Sequence, residues 1–221
     1  MSEDLVSPGQ LEAVGERALR FQRYIFRRAY GAYYAIWAFA ILVFQLLPYV
    51  IFSFFGSTIA TYLIIGIASA SIGILATIVS VRNFGEAART VALRNVLYPT
   101  ESIKSRYGLF ILWWAVFIGI FAIGFVLSVL TFFSFLNGFL LLLDIFIFTQ
   151  LRNTFPHDIP FEGKAAVVAF GGSALSSLVI SFLNVSPLLT NLSWIVTVGV
   201  WLFSSAYALK HAPKELVASS H

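Results

Sequence analysis

The chain alternates between long apolar runs and short polar connections. A bilayer core takes about 20 apolar residues per helix. Six segments meet that length: 30–54, 57–80, 108–131, 133–151, 165–184 and 188–209. The first two are separated only around Phe55–Gly56, the third and fourth around Thr131–Ser134, and the last two by Asn184–Thr190. The pattern predicts an all-α polytopic membrane protein, with six transmembrane helices in three tight hairpins. Residues 1–221 form one membrane domain: a tail over 1–9, a bundle over 30–209, a loop over 82–107 and a second tail over 210–221.

Ahead of the first span, Leu11, Val14, Ala18, Phe21 and Ile25 recur at three- and four-residue spacing among charged positions. This is the pattern of an amphipathic helix over 10–28. Its basic face next to a span predicts a helix lying along the membrane interface. Residues 1–29 lack the early apolar core of a signal peptide.

Composition sharpens this picture. The sequence is 59% hydrophobic and only 11% charged, with a mean hydropathy of +0.89. Soluble domains carry roughly a quarter charged residues. The 14 Lys and Arg residues fall at 17, 20, 23, 27, 28, 82, 89, 94, 104, 106, 152, 164, 210 and 214. In a six-span chain all of these positions lie on one side. The positive-inside rule then places both termini in the cytoplasm; a plasma membrane of prokaryotic type is the expected location. The basicity is thereby explained without a nucleic-acid partner. There is no cysteine, and His157, His211 and His221 have no metal-site spacing. Neither a metal nor another cofactor is expected, and no catalytic residue stands out. Two sequons, at Asn184 and Asn191, sit in the last outer turn. Their closeness to the membrane argues against modification.

Two blocks resemble each other. Arg28–Phe44 and Ser105–Phe121 share Tyr-Gly, a Trp six residues after the Gly, and the Ala, Ile and Phe positions that follow. The match predicts an internal repeat, 28–44 and 105–121, of the parallel kind common in transporters.

Asp144 is the one carboxylate inside a predicted span. An ionised carboxylate at a helix centre costs about 2.5–3.5 kcal/mol on insertion scales. Asp144 should therefore face protein rather than lipid. No Lys or Arg lies within a span to pair with it. Its candidate partners are neutral: Asn137 on its own helix, Gln45 in span one, Ser69 or Thr77 in span two, and Ser173, Ser176 or Ser177 in span five. Proton coupling, a polar substrate contact and a hydrogen bond that fixes helix register all remain open for it. Gly171–Ser177 and the Gly66/Ser69/Gly73/Thr77 stripe allow close helix approach.

The loop after span two carries Glu86, Thr90, Leu93, Leu97, Pro99, Ile103 and Arg106. In order and spacing these residues resemble the coupling-helix loop of ABC transporter permeases of the type-2 export class. Six spans, inward termini and a leading amphipathic helix are similar too. The resemblance implies a permease subunit energised by a separate ATPase. That partner would dock on 84–106, with Glu86, Arg89, Arg94, Pro99 and Glu101 as contact candidates. A homo- or hetero-oligomer would complete the pathway. Two other readings stand beside it: a non-transporting scaffold or assembly subunit of a larger membrane complex, and a proton-coupled carrier using Asp144.

Overall fold

The computed structural model describes residues 8–94, 119, 135–155, 158–183 and 187–217. Six helices follow in chain order: α1 (Pro8–Phe55), α2 (Ile59–Arg94), α3 (Phe135–Thr154), α4 (Phe161–Leu183), α5 (Pro187–His211) and the single-turn α6 (Lys214–Val217). No strand occurs among the described residues. Long stretches of α1, α2, α4 and α5 are apolar enough to cross a membrane. α3 occupies the fourth predicted segment. The third segment, 108–131, and the second copy of the repeat lie outside the described residues, apart from Gly119.

Two boundaries read from hydropathy fall inside helices. The amphipathic stretch 10–28 is not a separate helix. It is continuous with the first span in a single 48-residue helix. At 1.5 Å per residue α1 is about 72 Å long, more than twice the roughly 30 Å apolar core of a bilayer. The sequence around residue 28 contains the change from amphipathic to apolar but no break in helical propensity. Pro48 also lies within the helix without ending it. Likewise, α2 runs on through residues 82–94 to Arg94, so this part of the connection after span two is helical.

The hairpin between α1 and α2 is set by local chemistry. Gly56 takes φ +67°, a left-handed conformation that glycine adopts without Cβ strain. Its N–H donates to the Phe52 carbonyl at 3.0 Å, closing α1. Two residues on, Thr58 Oγ1 accepts from the Thr61 N–H at 3.2 Å and caps α2. The two helices then run antiparallel, from Phe52 against Tyr62 to Asn83, whose amide donates to the Ala29 carbonyl at 2.9 Å.

α1 is the central post. It packs on α2 and α5, α5 packs on α4, α4 packs on α3, and α6 folds back onto α1. The core is rich in aromatic side chains: Tyr30, Tyr33 and Tyr34 of α1 meet Phe155, Phe170, Trp194 and Trp201. Trp201 is fully buried, stacks on Phe170 and donates its indole N–H to the Ala166 carbonyl at 2.8 Å. Burying an indole requires such an acceptor. α1 and α5 come closest at Gly31, where an added Cβ would meet Leu209 and Ala208 at 3.0–3.2 Å.

Candidate functional site

Asp144 sits midway along α3, half-buried between the buried residues Leu143 and Ile147. Its carboxyl group lies directly over the backbone of Gly171 in α4. A Cβ built at Gly171 would overlap the carboxylate oxygen and stand 3.1 Å from its Cγ. The residue therefore faces protein, as the cost of lipid exposure demands. The small residue opposite it makes the space. Oδ1 is buried and finds no hydrogen-bond partner among the described residues.

Three of the neutral partners expected from sequence are engaged elsewhere. Ser173 donates to the Ser193 carbonyl at 2.7 Å and shares a hydrogen with Thr197 at 2.6 Å. Ser176 donates to the Ser173 carbonyl and Thr77 to the Gly73 carbonyl. Ser177 is buried without a partner among the described residues, but it is not bonded to Asp144. Gln45 is half-buried in α1. The Asn137 side chain lies outside the described residues. The structure thus seats Asp144 on a glycine, and its Oδ1 meets no polar side chain among the described residues.

The docking candidates divide. Glu86 and Arg89 are exposed on the continuation of α2, where Glu86 accepts from Arg82 at 3.1 Å. Arg94 is the last residue of α2. Pro99 and Glu101 lie outside the described residues. At the other end of the bundle, the Asn191 amide donates to the Tyr49 hydroxyl, so this sequon asparagine serves as an α5–α1 tie.

One cluster escaped the sequence reading. Arg27 of α1 reaches Glu162 in the first turn of α4 through two hydrogen bonds, at 2.5 and 3.1 Å, and Glu215 of α6 at 2.7 Å. Glu162 is only 2% exposed. Burial works against the Arg27 charge. The hydrogen bond and charge of Glu162, then those of Glu215, outweigh it and hold the guanidinium above its ordinary pKa. A raised pKa means that the arginine's contribution to stability is complete below its unfolded value and is lost only as pH rises through the folded one. Through the neutral range Arg27 stays charged and the clamp keeps its cation. The available signal was weak: Glu162 is the one acidic residue in the first turn of α4.

Comparison of the chain with known protein families, with curated proteins and with solved structures gives no match.

Proposed function

We propose that the chain is a permease-type subunit of a membrane transporter, with Asp144 as the group that meets a proton or a polar substrate in mid-membrane. In this proposal six spans cross the bilayer and both termini are cytoplasmic. The observation that carries the reading is the setting of Asp144. A carboxyl placed in a span purely to fix helix register should be hydrogen-bonded across the seam. This one is seated on a glycine, with one buried oxygen left without a partner among the described residues. A costly group whose buried oxygen has no partner among the described residues fits a working residue better than a register bond. The continuation of α2 favours ATP-driven energisation, because it presents Glu86 and Arg89 on a rigid helix reaching beyond the second span. A separate ATPase would dock there.

The test is to replace the native gene with Asp144→Asn and Asp144→Glu variants and to follow both phenotype and assembly. Asparagine keeps the shape and hydrogen-bonding capacity but not the proton. The transport reading expects Asp144→Asn to match the deletion phenotype while the protein and its co-purifying partners stay at normal amounts. Asp144→Glu should retain part of the function. A scaffold instead keeps its phenotype in Asp144→Asn, or loses partners and phenotype together. In the same preparations, a stoichiometric nucleotide-binding subunit supports the docking arm. Its absence removes ATP from the proposal.

A further inference from the structure

We propose that the basic end of the bundle is a collar that binds the headgroups of anionic phospholipids. Five helices each place a cation where their apolar stretch ends, and the packing brings these cations to one level. Asn83 bonds to Ala29, which sets Arg82 level with Arg28. Tyr30 bonds to Thr154 at 3.4 Å, which brings Arg152 to a similar height. Gly163 packs on Leu151, which sets Lys164 level with Arg152. Gly31 packs on Leu209, which sets Lys210 within a turn of the level of Arg28.

The carboxylates described at this level are all engaged. Glu86 holds Arg82, Asp158 holds Lys164 at 2.9 Å, and Glu162 and Glu215 share Arg27. Arg28, Arg152 and Lys210 are exposed and have no carboxylate partner among the described residues. They belong to three different helices. Arg28 donates to the Tyr24 hydroxyl at 2.9 Å, 5.6 Å from that ring's centroid, which steadies a guanidinium still able to bind phosphate.

The surface beside the collar decides between a lipid and a soluble anion. Exposed Val79, Phe148, Val168 and Phe203 continue from the cations toward the apolar middle of the bundle. Tyr207 stacks on His211 and meets Phe161 edge to face, an aromatic group of the kind found at a membrane interface. A phosphate bound by the collar thus has an apolar surface beneath it that fits acyl chains. Basic side chains at such a boundary attract anionic lipid additively. The inference rests on the reading that these helices cross a bilayer.

The test uses spin-labelled phosphatidylglycerol and spin-labelled phosphatidylcholine with the full chain in phosphatidylcholine bilayers. Wild type should immobilise the anionic probe in preference to the zwitterionic one, and the preference should weaken as salt is raised. The triple variant Arg28→Gln, Arg152→Gln, Lys210→Gln should bring the ratio of the two association constants down to about one. The single exposed changes Arg152→Gln and Lys210→Gln, which disturb no described ion pair, should each lower it. A control beyond the collar, Arg17→Gln with Arg23→Gln, should leave it unchanged. Equal immobilisation of both probes by wild type, or a preference that survives the collar changes, overturns the proposal. So does removal of the preference by inorganic phosphate at constant ionic strength, which would make these free-anion sites. Failure of the membrane reading looks different: neither probe would be immobilised.

Discussion

Arg27→Ala lowers the stability of the bundle by about 3–5 kcal/mol, the usual cost of removing one partner from a buried ion pair. The magnitude follows from what is left behind. Glu162 is 2% exposed and loses both of its hydrogen bonds to Arg27, while Glu215 loses its tie to α1. An unpaired carboxylate is then held among Tyr34, Leu151 and Gly163. Reversible unfolding in mixed detergent measures the loss. Arg27→Lys should recover only part of it, because an ammonium cannot reproduce the forked contact that reaches both oxygens of Glu162. Arg27→Gln combined with Glu162→Gln should be milder than Arg27→Ala alone, since the buried Glu162 charge is gone and only the partly exposed Glu215 is left without its cation. A loss below about 1 kcal/mol for Arg27→Ala would place the cluster with exposed ion pairs and remove it as the clamp between α1, α4 and α6.

Gly171→Ala costs about 1–3 kcal/mol, the range for overfilling a packed site. The added methyl cannot coexist with the Asp144 carboxyl as placed. Aspartate is too short to swing only its tip clear, because Cγ itself stands 3.1 Å from the new carbon. Either the carboxyl rotates away from α4 or the two helices separate. The same unfolding measurement in an Asp144→Ala background should show a smaller penalty for Gly171→Ala, since the obstructing group is gone. Contacting residues are expected to be non-additive in this way. An equal penalty in both backgrounds would mean that α3 and α4 do not meet through this pair.

Much of the architecture could be read from hydrophobic length alone, since spans one, two, five and six coincide with helices long and apolar enough to cross a membrane. The continuity of α1 and α2 could not. At residues 28 and 82 the chemistry of the surface changes while helical propensity does not, so a hydropathy boundary there is not a structural one. Asp144 was legible as a cost, because one carboxylate in an apolar run needs no tertiary knowledge to notice. Its partner was only half legible. Gly171–Ser177 announced close approach, yet the serines looked like the natural partners. In the fold, Ser173 and Ser176 satisfy α4 and α5 backbone carbonyls, and the glycine takes the carboxyl. The clamp was illegible for a different reason. Arg27 and Glu162 are separated by 135 positions, and each looked like an ordinary charge at the end of a span.

The proposed transport role requires Asp144 to be a protonatable group reachable from within the membrane. The direct measurement is modification by dicyclohexylcarbodiimide, which enters bilayers and reacts with protonated carboxylic acids. Peptide mass spectrometry should find the adduct on Asp144 in native membranes, and a water-soluble carbodiimide should leave that residue unmodified. If Asp144 stays unmodified in membranes and reacts only after unfolding, the carboxyl is sealed within the α3–α4 seam. The transport role assigned to it is then contradicted.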